Sequence, residues 1–134
     1  MKLEIVFFQS NNEGEIIDKI HEVNNNFDGL IINPAAFTHS SIAILDSLRA
    51  ISKPKIEIHL SNIYSREEYR KKSITSESVN GLICGFGGNS YILGIEAIAK
   101  LIYNWIMTKI DKTDIDNIKL ITKEIESKGV SKVK

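Results

Sequence analysis

The sequence predicts a three-layered α/β domain built on a parallel sheet. Three observations carry this. Short apolar runs alternate with stretches whose apolar residues recur at helical spacing, the pattern of strands joined by crossover helices. The candidate strands are nearly continuous apolar runs, as expected for a sheet covered on both faces. Turn residues punctuate the changes, at Asp28-Gly29, Asn33-Pro34, Lys53-Pro54 and Gly85-Phe86-Gly87-Gly88.

Residues 3–8 are apolar, β-branched and aromatic, and read as a first strand. Gln9-Ser10-Asn11-Asn12 favours a turn or a helix N-cap. Ile16, Ile17, Ile20 and Val23 then place a helix over 13–24, closed by Asn24-Asn25-Asn26. Residues 30–32 read as a second strand, and Pro34 turns Asn33 away from helix. Ser40 and Ser41 can cap a second helix running to about Ser52, with Ile44, Leu45, Leu48 and Ile51 as its stripe. Residues 55–60 form a third strand, with Ile56, Ile58 and Leu60 on one face and Glu57 and His59 on the other. Ser65-Arg66-Glu67-Glu68 fits a capping box opening a short helix. Residues 81–86 form a fourth strand. A long helix over 90–110 presents Ile92, Ile95, Ala99, Ile102 and Ile106. After a polar break, Ile115, Ile118, Ile121 and Ile125 mark an extra helix and a basic tail. The expected division is therefore 1–110, an α/β domain, and 111–134, a C-terminal extension.

Composition excludes several functions. Seventeen Lys and Arg balance seventeen Asp and Glu, so the basic excess of a nucleic-acid binder is missing. A zero formal net charge does little to keep copies apart, which suits self-association. No run approaches the roughly 18 apolar residues of a membrane helix. Glu4 interrupts the N-terminus where a secretory leader needs an apolar core. The single cysteine, Cys84, fits a reducing compartment, and the cytoplasm is the expected location. Cys84 lies in an apolar run and reads as a small buried hydrophobe rather than a nucleophile.

In a parallel α/β sheet, ligands sit outside the C-terminal strand ends. That singles out residues 9–12, 33–39, 59–62 and 85–89. His39 and His59 both fall there, whereas His21 reads as a surface residue. No third ligand accompanies the two histidines, so a metal is not expected. The glycine-rich turn lacks the spacing and the lysine of a phosphate loop, which argues against a nucleotide-binding module. Glu57 and His59 share a strand face. The carboxylate either orients the imidazole as a general acid, or both face a polar subunit contact.

Five motifs, in order, resemble type II 3-dehydroquinate dehydratases. They are Phe7-Phe8-Gln9-Ser10-Asn11-Asn12-Glu13-Gly14, Ile31-Ile32-Asn33-Pro34-Ala35-Ala36-Phe37-Thr38-His39-Ser40-Ser41, Glu57-Ile58-His59-Leu60-Ser61-Asn62, Arg66-Glu67-Glu68-Tyr69-Arg70 and Gly81-Leu82-Ile83-Cys84-Gly85-Phe86-Gly87. Phe37 stands where the family usually has Tyr, and the likeness runs over residues 3–103. The resemblance implies a flavodoxin-like fold and conversion of 3-dehydroquinate to 3-dehydroshikimate and water, without metal or other cofactor. A tyrosinate beside an arginine removes a proton, hydrogen bonds stabilise the enolate, and a histidine protonates the departing hydroxyl. By resemblance, His59 is that general acid and Glu57 its partner. Asn33, His39 and Arg70 bind substrate, and the backbone of Leu60 and Ser61 holds its carboxylate. Asp46 reaches a neighbouring subunit's site in the family's trimers, which assemble into dodecamers.

The family's first strand, its lid with the catalytic Tyr and Arg, and its first helix have no counterpart here. None of Tyr64, Tyr69, Tyr91 and Tyr103 stands in lid context, so no residue is assigned as the base. The missing strand lies at the sheet centre, between the first two strands predicted here. Each buried unsatisfied backbone group costs about 1–3 kcal/mol, against a domain stability of about 5–15 kcal/mol. Three arrangements avoid that cost: the two strands pair directly, the segment is supplied from elsewhere, or the sequence belongs to a longer protein. The expectation for the isolated chain is little or no turnover. The alternative is a non-catalytic binding or assembly protein that keeps the half-site.

Overall fold

A computed structural model describes residues 2–109. The elements are α1 (Glu13–His21), α2 (Val23–Asn26), β1 (Leu30–Ile32), α3 (Ile42–Arg49), β2 (Lys55–His59), β3 (Gly81–Cys84) and α4 (Asn89–Lys109). Short 3-10 turns lie at Ala35–His39, Ile63–Ser65, Glu68–Arg70 and Thr75–Ser78. The sheet is parallel with order β1-β2-β3. Ile31 pairs with Ile56, and His59 with Cys84. The expected α/β class is therefore observed.

Alternation along the strands creates the layers. Ile32 joins Ile20, Val23, Ile44, Leu48 and Ile51 on one face, under α1 and α3. Ile31 turns the other way and meets Ile56, Ile58, Ile98 and Ile102 under α4. Burying an Ile or Leu side chain of this kind stabilises the fold by about 1.5–3 kcal/mol. β2 is paired on both sides and buried at all five positions. Lys55 is buried at its start, and its Nζ donates to the Ile51 carbonyl at 2.6 Å. Burial alone lowers its pKa.

Polar side chains set the element ends. Asn12 Oδ1 accepts from Glu15 N–H and caps α1, whose first turn is acidic and last turn basic, favourably for the helix dipole. Ser41, not Ser40, caps α3 by accepting from Ile44 N–H at 2.9 Å. Asn24 ties α2 to the end of α3, donating to Ala50 O and accepting from Ser52 N–H.

Several expectations are corrected. Residues 3–8 form no strand. Ile5, Val6, Phe7 and Phe8 are exposed, Phe7 to 85%. Among the described residues β1 pairs only with β2, and residues 3–8 pair with no strand, so this apolar segment completes no ladder. The two segments do not close up and pair. The first helix breaks at Glu22, and the second ends at Arg49 rather than near Ser52. Ser65 caps no helix. It closes the turn at Ile63–Ser65, which Asn62 caps, and Glu67 precedes the next turn without a side-chain cap. β3 stops at Cys84 because Gly85 takes φ 95°, a left-handed value. A Cβ on Gly85 would also lie 3.2 Å from Asn62 Cβ.

The buried face of α4 is Ser90, Gly94, Ile98 and Ile102, whereas Ile92 is exposed. Close approach to the sheet decides this. A Cβ on Gly94 would lie 3.3 Å from Ile58 Cγ2 and 3.4 Å from Ile31 Cγ2. A stripe chosen by apolarity alone passes over a helix that docks through its smallest residues. The expected helix and tail within 111–134 lie outside the described residues.

Candidate active site

Parallel strands bring their C-terminal ends to one edge of the sheet, and a pocket of about 470 Å³ opens there. It is lined by Asn33 and Ala35–Ala36 after β1, by His39, by His59, Leu60, Ser61 and Ile63 at and beyond the end of β2, and by Arg66 and Arg70. The β3 exit closes over the β2 exit. Gly85 N–H donates to His59 O, and Gly87 N–H donates to Leu60 O.

Two-residue spacing on β2 puts Glu57 and His59 on one face, and His59 Nε2 lies 2.6 Å from Glu57 Oε1. Glu57 is completely buried. Three hydroxyls surround it. Thr38 donates to Oε1 at 2.5 Å, Ser73 to Oε1 at 3.0 Å and Thr75 to Oε2 at 2.7 Å. Burial on its own pushes this carboxyl's pKa up. The hydrogen bonds from His59, Thr38, Thr75 and Ser73 outweigh it and hold the group below the usual carboxylate range. With Nε2–H given to the carboxylate, Nδ1 is the ring nitrogen left for other work.

His39 is oriented differently. Its Nδ1 lies 2.7 Å from the Lys72 carbonyl, which can only accept. The proton is therefore at Nδ1, and Nε2 is free to accept or to be protonated. Asn33 is held at both ends: Oδ1 accepts from Ala35 N–H at 3.1 Å, and Nδ2 donates to Tyr91 OH at 3.2 Å. Ala35 takes φ 49°, a conformation that costs a non-glycine residue about 1–3 kcal/mol and is found most often at ligand sites.

The mouth is cationic. Arg66 NH1 reaches Ser61 Oγ at 3.4 Å, and Arg70 Nε stands 2.9 Å from Glu67 Oε2. That second contact is poorly aligned, and Arg70 Nε is buried without a hydrogen bond. Glu67 is exposed. Its own backbone N–H, then Arg70 and Arg66, hold its carboxyl below the usual range. Two guanidiniums and two imidazoles around one concavity suit an anionic ligand, a carboxylate above all. Cys84 sits half-buried on β3, where burial and then the charge of Glu57 raise its thiol pKa, against a nucleophilic role.

Six of the residues singled out in the sequence line the pocket: Asn33, His39, His59, Leu60, Ser61 and Arg70. Glu57 stands behind His59. Asp46 does not reach the pocket and is exposed on α3. His21 is exposed on α1, as expected. Sequence reasoning missed Arg66, which it had read only as part of a helix start. It also missed Thr38, Ser73 and Thr75, because hydroxyl residues 19, 16 and 18 positions from Glu57 leave no pattern in the chain.

Residues 1–99 match the family described as Dehydroquinase class II. A 3-dehydroquinate dehydratase of Clostridium botulinum is 59% identical over 96 residues, covering 72% of this chain and 65% of that protein. One from Thermoanaerobacter pseudethanolicus is 56% identical over 93 residues, covering 69% of this chain and 63% of that protein. The crystal structure of type II dehydroquinase from Butyrivibrio crossotus superposes with a TM-score of 0.66 at 49% identity, covering 68% of this chain and 64% of that one. The chain thus spans slightly less than two thirds of the length of these relatives.

Proposed function

The chain belongs to the class II dehydroquinase family, and from that premise we propose that its pocket binds 3-dehydroquinate and supplies the acid half of its dehydration to 3-dehydroshikimate. The observation that carries this reading is the Glu57–His59 pair at the floor of a cationic pocket. The ligand's carboxylate is placed against the backbone N–H groups of Leu60 and Ser61, with Arg66 nearby. Asn33, His39 and Arg70 take its oxygens. His59, as an imidazolium stabilised by Glu57, gives its Nδ1 proton to the departing hydroxyl and keeps its Nε2–H, which Glu57 accepts. A positioned general acid contributes about 10²–10⁴-fold.

The same reaction needs a base to remove the proton beside the ketone, and no residue of this chain is assigned to it. Tyr64 and Tyr69 are exposed, and Tyr91 OH is engaged by Asn33. We therefore propose binding with little or no turnover for the isolated chain. A non-catalytic binding or assembly role on the retained half-site is the second reading, and the unassigned base is what favours it. We also propose homo-oligomerisation, trimer-based and dodecameric in the full assembly, with Asp46 directed to a neighbouring subunit.

Two measurements on the purified, folded chain test this: calorimetric titration with 3-dehydroquinate, and product enone absorbance. Binding that weakens at least tenfold in Arg70→Ala, with turnover at least 10²-fold below a complete relative, is expected. Absence of binding would remove the substrate assignment. Turnover matching the relative would overturn the impairment.

A further inference from the structure

The Glu57 carboxylate is enclosed by hydroxyls from two segments far apart in sequence. Thr38 comes from the turn after β1. Ser73 and Thr75 come from the segment leading to β3. One backbone and one side-chain hydrogen bond lock these segments together. Ile74 N–H donates to Thr38 O at 2.8 Å, and His39 Nδ1–H donates to Lys72 O at 2.7 Å. Thr38 and Thr75 are completely buried, so water does not readily replace either hydroxyl.

Proton counting limits what this cluster can be. Thr38 Oγ1 lies 2.6 Å from Ser73 Oγ and 2.7 Å from Thr75 Oγ1. With the three contacts to Glu57, that makes five close oxygen pairs for three hydroxyl protons. When all three hydroxyls donate to the carboxylate, they and His59 Nε2–H present four donors, against about four acceptor sites on an ionised carboxylate. A protonated Glu57 would force one hydroxyl to turn its proton from the carboxylate to a neighbouring hydroxyl oxygen, exchanging a charge-assisted hydrogen bond for a weaker neutral one.

We propose that Thr38, Ser73 and Thr75 are positioning residues that hold Glu57 as an ionised acceptor and thereby fix neutral His59 as the Nε2–H tautomer, so that the transferable proton of its protonated form is the one at Nδ1. This rests on the reading of His59 as the acid. The hydroxyls touch no reacting atom and act through Glu57. The other charged or titratable groups around the pair are His39 from the turn after β1, Arg66 and Arg70 at the mouth, Cys84 on β3, and Lys55 earlier on β2. None of them is altered by removing a hydroxyl.

The test is nuclear magnetic resonance on the full 134-residue chain, following the Glu57 carboxyl carbon through a pH titration and the ring nitrogens of His59. In the unmodified chain, neutral His59 is expected as the Nε2–H tautomer. Ser73→Ala and Thr75→Val are each expected to move the Glu57 midpoint up by about one pH unit, the size of one charge-assisted hydrogen bond. Thr75→Ser, which restores a hydroxyl, should return most of that shift. Ser73 is only half-buried, so Ser73→Ala carries the test if Thr75→Val does not fold. An unmoved midpoint in folded Ser73→Ala, or an Nδ1–H tautomer in the unmodified chain, overturns the proposal. Neither readout depends on substrate or turnover, so this outcome is independent of the assigned reaction.

Discussion

At the scale of single residues, Glu57 carries an unusual load. It is a fully buried carboxylate kept ionised by one imidazole and three hydroxyls. Replacing it with Gln makes one acceptor a donor, which must then face groups that themselves donate. Glu57→Gln is expected to destabilise the fold by about 1–3 kcal/mol, read from chemical denaturation. The pH dependence follows from the direction of its shift. The folded-state pKa lies below the ordinary 4.5, so the folded chain binds this proton less readily than the unfolded chain does. The stabilisation is complete above 4.5 and is lost as pH falls beneath 4.5 through the folded-state value. Glu57→Gln should flatten that part of the stability profile, and an unchanged slope would contradict the assignment.

At the scale of elements, α4 shows how packing overrides pattern. Periodicity supports more than one apolar stripe on this helix, and docking selects the one containing Ser90 and Gly94. The close approach of Gly94 to Ile31 and Ile58 lets the helix lie against the sheet. Gly94→Val adds volume where no space exists and is expected to cost about 1–3 kcal/mol despite higher helix propensity, seen as a lower denaturation midpoint. A neutral or stabilising effect would mean that α4 can shift outward. The N-caps Asn12 and Ser41 were legible beforehand, because their short oxygen-bearing side chains act on backbone only three residues away.

At the scale of the whole molecule, the sheet of the described residues is open at both outer strands. Among the described residues β1 is paired on one side only, and Ile5, Val6, Phe7 and Phe8 are exposed. An exposed apolar segment and unpaired sheet edges both favour association with another chain, and a zero formal net charge opposes it little. Sedimentation is expected to show concentration-dependent self-association, reduced when Phe7 and Phe8 are both changed to Lys. Association unaffected by that double change would place the contact elsewhere.

The parallel α/β class, β1 to β3, the two capped helices and the strand-end location of the site were legible because each depends on neighbours within a turn or on strand periodicity. Asn33, His39, His59, Leu60 and Ser61 could be placed there because strand exits converge in any parallel sheet, whereas Arg70 was named only through the family resemblance. Residues 3–8 had every local mark of a strand, yet a strand exists only where a neighbour pairs with it, and sequence alone does not display that neighbour. The docking face of α4 and the Thr38–Ser73–Thr75 enclosure of Glu57 were decided only in three dimensions. Both depend on close approach between segments distant along the chain, which composition, spacing and propensity do not encode.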